Sequence, residues 1–380
     1  MSFRRLILLL IALFAALAGA ALLLAQQPAT SSPPPALVMA PADATITATP
    51  FQPLPPTPTY FPTNFPTPLA SPTPALAVSA PLTGSTTLIG TVTPVSMTQG
   101  IAKSWNDYPG PSLWPDIDVP SPVGLLPQPE DQINILLLGS DQRPDAWGFR
   151  TDTILLATLN TRGGTVSLTS FPRDLYVYIP GWTVQRINTA FGYGDFDALA
   201  LTFEYNFGVR PTHYVLVNFW SFKEVIDNLG GVDVNVAVAH TDHRDNYGDY
   251  TAPAGIVHMD GETALWYARS RYTTSDIDRG RRQQEVVVAI FQRLLSLDAL
   301  NRAPELYDIY VQNVVTDLRL EDVVPLLPLA AQLNDSNRIH RYSIGYGQLT
   351  SWVNTQGAQV LLPIQEAVVA IMRQALNSDQ

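Results

Sequence analysis

Proline decides where this chain can fold. Of its 33 prolines, 24 fall between Pro28 and Pro129, among Thr, Ser and Ala, and Asp43 is the only charged residue from Gln26 to Ile101. Such a segment buries too little apolar surface to offset the entropy of ordering it. It reads as an extended tether, residues 26–128, rising about 3.1 Å per residue where it adopts polyproline II. Short Thr- and Val-rich stretches in 82–102 are candidates for local pairing, and Trp105 to Pro129 reads as an ordered lead-in. A packed core is expected only in residues 129–380.

Ahead of the tether, Arg4 and Arg5 precede an unbroken apolar run from Leu6 to Ala25. Twenty residues rising about 1.5 Å each span a hydrocarbon core of roughly 30 Å. Residues 1–25 are therefore expected to be a cytoplasmic stub and a single transmembrane helix, with the rest of the chain outside the cell membrane. The small residues Ala18-Gly19-Ala20 also offer a cleavage site. There is no cysteine, so neither disulfides nor thiolate metal sites are available. The net charge of −11 argues against nucleic acid as a partner. An anionic ligand would have to be met by a local cluster of basic residues.

From Asp131 onward, short apolar runs alternate with helical periodicity. Strands are expected at Ile133–Leu138, Thr153–Leu159, Thr165–Thr169, His213–Phe219, Val232–Val236 and Ile339–Ile344. Helices are expected at Asn188–Tyr205, Phe222–Leu229, Gly261–Arg269, Asp276–Leu297 and Gln356–Leu376. This pattern predicts an α/β domain, a three-layer α/β/α arrangement around a central mixed sheet.

Four segments gather Arg and Asp at the ends of these elements: Gly139-Ser140-Asp141-Gln142-Arg143, Arg150-Thr151-Asp152, Phe171-Pro172-Arg173-Asp174, and Arg269-Ser270-Arg271 continuing to Asp276, Arg279, Arg282 and Gln283. Strand ends of an open α/β sheet are where ligand crevices form. Guanidinium groups grip phosphate oxygens in pairs. Carboxylates placed among them suit a divalent cation shared with a phosphate, and Asp141 and Asp152 are the natural pair. Arg143, Arg150, Arg173, Arg269, Arg271, Arg279 and Arg282 would form the clamp. Spacing alone leaves open a set of unrelated surface ion pairs, the reading adopted for Arg281 and Gln284. His240-Thr241-Asp242-His243 is a weak metal candidate in a polar loop. Trp182, Trp220 and Trp266 read as core or crevice wall rather than a sugar platform.

These motifs, with Ser170-Phe171-Pro172-Arg173-Asp174, Arg186-Ile187-Asn188, Leu229-Gly230-Gly231-Val232 and Asp260-Gly261-Glu262, occur in an order that resembles the LytR-CpsA-Psr family of cell-envelope glycopolymer phosphotransferases. The resemblance implies transfer of a glycopolymer from a polyprenyl-pyrophosphate carrier to a cell-wall hydroxyl, such as one of peptidoglycan or another envelope acceptor. It implies a Mg²⁺ or Mn²⁺ ion at Asp141 and Asp152, and an apolar tunnel for the lipid. It further implies a pyrophosphate clamp of Arg173, Arg269, Arg271 and Arg279, with Gln283 beside it and Arg150, Asp276 and Arg282 in support. Thr151 stands where the family commonly has Ser. A hydrolase of the same lipid would use the same residues. A non-catalytic glycan- or lipid-binding protein would have no need of the paired carboxylates.

Overall fold

The computed structural model describes residues 97–141, 150–296 and 303–377. The expected membrane helix, most of the tether and Arg143 lie outside the described residues. Among the described residues, no helix is long and apolar enough to cross a membrane.

The chain runs through β1 (Gln132–Ser140), β2 (Thr151–Asn160), β3 (Thr165–Ser170), β4 (Tyr176–Ile179), β5 (Thr183–Arg186), α1 (Ala190–Phe207), β6 (His213–Asn218) and α2 (Phe219–Asn228). It continues through β7 (Val232–Val236), β8 (His240–Arg244), β9 (Gly248–Ala252), β10 (Gly255–Met259), α3 (Gly261–Arg269), α4 (Asp276–Ser296) and α5 (Ala303–Asn313). The last elements are β11 (Val315–Thr316), α6 (Leu327–Gln332), β12 (Ile339–Ser343), β13 (Leu349–Val353), β14 (Gln359–Pro363) and α7 (Gln365–Leu376).

A six-stranded sheet in the order β11-β6-β1-β2-β3-β12 forms the centre. It is mixed: β1 pairs parallel with β6 and antiparallel with β2, and β3 pairs parallel with β12. Alternation along the strands sends side chains to two faces. Leu136, Leu138, Ile154 and Leu156 pack with Phe203 and Phe207 of α1 and Met372 of α7. On the opposite face Ile135, Ala157 and Leu168 meet Val288 of α4 and Leu329 of α6. Helices thus cover both faces, giving the three layers expected.

In the lead-in, Met97–Thr98 pairs antiparallel with Gln128–Pro129. Tyr178 and Tyr205 donate hydroxyl hydrogen bonds to the carbonyls of Pro109 (2.7 Å) and Pro120 (2.6 Å), tying this proline-rich segment to the domain.

The structure corrects several expectations. Residues 359–363 are not the start of a terminal helix but β14, paired with β13; Pro363 closes the strand and α7 begins at Gln365. Helix α1 starts after a 3₁₀ turn at Ile187–Thr189 and is broken at Gly194 and Asp195, where Asp195 takes φ 55°. The hairpins β4–β5, β8–β9 and β13–β14 were not anticipated. His240–His243 lies in strand β8 rather than in a loop. Its alternation buries His240, Asp242 and Arg244 and turns His243 outward.

Candidate active site at the sheet edge

Because β2 runs against its neighbours, the C-terminal ends of β1, β3, β6 and β12 and the N-terminal end of β2 meet at one edge of the sheet. Asp141, Asp152, Arg173 and Asp174 follow from that edge. The first turn of α4 crosses it, and Gly280 permits the approach: a Cβ there would lie 3.0 Å from the Ser170 hydroxyl.

Arg173 Nη1 donates to Asp152 Oδ1 at 2.8 Å, and its Nε lies 3.5 Å from Asp174 Oδ2. Asp174 Oδ1 is 3.1 Å from Arg186 Nε. Arg279 Nη2 reaches Asp276 Oδ1 at 2.8 Å. Asp152, Asp276, Arg279 and Gln283 line one small crevice with Ser170 and Pro172. Burial works against the charge of Arg173, but the hydrogen bond and charge of Asp152, then Asp174 and Asp276, outweigh it and raise its pKa. Arg279 goes the other way: burial, with Arg173 and Arg271 as neighbouring cations, lowers its pKa despite Asp276. A buried guanidinium crowded by its own sign is stabilised by an incoming anion.

Two carboxylates lie at this end of the sheet: Asp141 directly follows Ser140, the last residue of β1, and Asp152 stands at the register shift in β2, between Thr151, which pairs with Ser140, and Thr153, which pairs with Gly139. The Thr151 hydroxyl beside them is buried and has no hydrogen-bond partner among the described residues. Two carboxylate donors beside arginines suit a hard divalent cation shared with an anion.

Behind the edge lies a cavity of about 470 Å³. Its walls are Leu137, Leu155, Val215 and Val217 of the sheet, Phe222 and Val225 of α2 with Leu229 just after it, Val286, Val287, Ile290 and Leu294 of α4, and Leu306, Ile309 and Tyr310 of α5. Gln283 borders both this apolar cavity and the charged crevice. Val217, Val286, Val287 and Ile290 face the cavity, whereas Leu216 and Leu361 pack in the core on the other face.

Arg269 and Arg271 are exposed and line an adjacent polar cleft with Trp266 and Tyr272; the Arg269 guanidinium lies 4.0 Å from the Phe219 ring. Arg150 is exposed and Asp141 half-buried. Arg282 does not belong to the charged edge. It is wholly buried and spends its guanidinium on the carbonyls of Tyr267 (2.9 Å) and Ser270 and on the Thr274 hydroxyl (3.1 Å). Gln284 is likewise no surface residue: its amide is buried and donates to the carbonyls of Leu168 and Tyr342, fastening α4 to the sheet. Arg281 pairs with the buried Glu285. Trp220 is exposed and Trp182 stacks on Tyr193. The Asp174–Arg186 pair was missed; the Arg186-Ile187-Asn188 motif was the available signal.

The chain is 34% identical over 220 residues to a polyisoprenyl-teichoic acid–peptidoglycan teichoic acid transferase, TagU, of Oceanobacillus iheyensis, covering 56% of this chain and 67% of that protein. It is 33% identical over 224 residues to the corresponding TagT of Bacillus subtilis, covering 57% and 70%. Among solved structures, TagT bound to LIIa-WTA superposes with a TM-score of 0.54 at 29% identity, over 65% of this chain and 91% of that one. B. subtilis TagV gives 0.55 at 26%, over 65% and 97%. The family model covers residues 113–375, most of the sequence, and the chain belongs to the LytR_cpsA_psr family.

Proposed function

We propose that this protein transfers a glycan-bearing phosphate from a polyprenyl-pyrophosphate carrier to an acceptor hydroxyl, with peptidoglycan as the acceptor. The observation that carries this reading is the junction at Gln283, where an apolar cavity of about 470 Å³ meets a crevice of Arg and Asp. A lipid pyrophosphate has the same two parts in the same order. The relatives named as teichoic acid transferases support the reaction class.

In this reading the polyprenyl chain lies among Val217, Phe222, Val286 and Ile290. Arg173, Arg271 and Arg279 face the pyrophosphate, with Arg269 at the rim. Asp141 and Asp152 are the residues that would hold Mg²⁺ or Mn²⁺, which when bound neutralises phosphate charge. The acceptor oxygen bonds to the phosphorus that carries the glycan. The bond from that phosphorus to the bridging oxygen breaks, and polyprenyl phosphate leaves. Asp152 takes the hydroxyl proton, and Arg173 at 2.8 Å holds that carboxylate in place. Fixed cations supply most of what such a transfer needs, positioning and charge stabilisation. The reading includes the membrane: an anchor at Leu6–Ala25 would keep the domain outside the cell beside its lipid substrate.

The test is binding of a polyprenyl pyrophosphate to the wild type and to Arg173→Ala, with and without Mg²⁺. Loss of a charge-assisted contact should cost about 2 kcal/mol, roughly thirtyfold in affinity. Equal affinity of the two proteins would refute the placement of the clamp.

A further inference from the structure

Neither Arg269 nor Arg271 has a carboxylate partner among the described residues; Arg269 rests on the Phe219 ring, and the backbone between the two sets where both start. Ser270 supplies that backbone. It ends α3, its N–H bonding to the Trp266 carbonyl at 2.8 Å. Its carbonyl accepts from Arg282, and its hydroxyl is hydrogen-bonded to Nε2 of His240. The same strand, β8, grips the residues that follow: Asp242 Oδ2 accepts the N–H of Tyr272 at 2.9 Å, and the Thr241 carbonyl accepts the Thr273 hydroxyl at 2.7 Å.

His240 is buried against Trp266 and Tyr267, with ring centroids 5.5 and 5.9 Å away. The charged groups around it are Asp242, with Oδ2 at 3.9 Å from Nε2, and Arg281, Arg282 and Asp278 of α4. Burial, then the Arg282 charge, push its pKa down to about 4 against the pull of Asp242. The imidazole is therefore neutral at physiological pH. A buried imidazolium would face the Arg282 guanidinium at close quarters.

We propose that His240 is a positioning residue: its neutral ring, bonded to the Ser270 hydroxyl, fixes the backbone from which Arg269 and Arg271 reach the donor. The inference rests on the reading above in one respect, that Arg271 meets the pyrophosphate. His240 touches no reacting atom. It acts through Ser270, as Arg282 does from the opposite side.

The experiment measures affinity of the full chain for geranylgeranyl pyrophosphate by calorimetry, for Arg271→Ala, Ser270→Ala, His240→Leu, His240→Gln and the double variant His240→Leu/Ser270→Ala. Arg271→Ala should weaken binding about thirtyfold. Ser270→Ala and His240→Leu should each weaken it about fivefold, the value of one buried hydrogen bond. The double variant should be no weaker than either single one, because both remove the same contact. His240→Gln, which can still bond the hydroxyl, should return to within about twofold of wild type, a rescue that packing alone does not give. If His240→Leu fails to fold, Ser270→Ala, which removes one hydroxyl, decides. Wild-type affinity in Ser270→Ala and His240→Leu, with Arg271→Ala weakened, overturns the positioning role and leaves the proposed function standing. Wild-type affinity in Arg271→Ala overturns both.

Discussion

Replacing Arg282 by Met separates two roles that the sequence could not tell apart. Arg282 is fully buried, and its guanidinium satisfies the carbonyls of Tyr267 and Ser270 and the Thr274 hydroxyl. Methionine has similar length and no donors, so the two carbonyls lose their partners in a site closed to water. Each unsatisfied buried acceptor costs about 1–3 kcal/mol, which sums to about 2–6 kcal/mol for the two. Domains of this size shift by about 2–4 °C per kcal/mol, so the melting temperature should fall by at least about 4 °C. The assay is denaturant unfolding of Arg282→Met beside Arg279→Met, three residues away in the same helix. Arg279 pairs with Asp276 in the crevice, and its loss should weaken pyrophosphate binding by about tenfold or more while lowering stability less. If Arg282→Met unfolds within about 1 kcal/mol of wild type and instead loses ligand affinity as Arg279→Met does, then Arg282 belongs to the clamp and its scaffolding role is wrong.

Three further outcomes follow from particular contacts. Val217→Trp should fill the cavity and displace about two methylenes of a bound prenyl chain. That lowers affinity for a long-chain polyprenyl pyrophosphate by about fifteenfold and leaves inorganic pyrophosphate binding unchanged, as competition titrations would reveal. Gly280→Ala should push α4 from Ser170, whose hydroxyl lies 3.0 Å from the new Cβ, costing about 1–3 kcal/mol in chemical denaturation and moving Arg279 with the helix. His240 has a folded pKa of about 4, below its unfolded value near 6.5, so it binds fewer protons folded than unfolded between those values. Its contribution is full above about pH 6.5 and is lost as pH falls toward 4. Unfolding curves across that window should lose about 2–3 kcal/mol more for wild type than for His240→Gln, and parallel curves would contradict the assignment.

Much of the sheet was legible because its strands are short apolar runs closed by Gly or by charge; Ile133–Leu138 and Thr153–Leu159 come within a few residues of β1 and β2. The hairpin β8–β9 was not, because its inward positions are His240, Asp242 and Arg244, polar residues whose partners come from distant segments. Its alternation is regular but invisible to a reading based on apolarity. Val360 to Leu362 misled for the opposite reason: an apolar run beside a helix looks helical until its pairing with β13 is known. At the site, the Arg and Asp segments were found because charge at strand ends stands out. Their division was not legible. Arg279 and Arg282 lie close on one helical surface, and only the path of residues 270–274 decides which one faces the edge and which one the backbone.

One helix reconciles the two halves of the site. Arg279, Gln283, Val286, Val287, Ile290 and Leu294 recur at intervals of three and four, one face of α4. In sequence this is the signature of a helix packed on a core. Here the face runs from the crevice, past Gln283, along the cavity, where Val286, Val287, Ile290 and Leu294 line open space. The eleven steps from Gln283 to Leu294 rise about 16 Å. The polarity of the proposed ligand is thereby matched along one helix: charge at its first turn, an amide at the second, aliphatic side chains beyond. A soluble phosphoester would need the first turn alone, and a lipid without a charged head would need only the remainder. A face that carries both in sequence fits a molecule with a charged head and an isoprenoid tail, entering with the head at the carboxyl edge of the sheet and the tail between α2, α4 and α5.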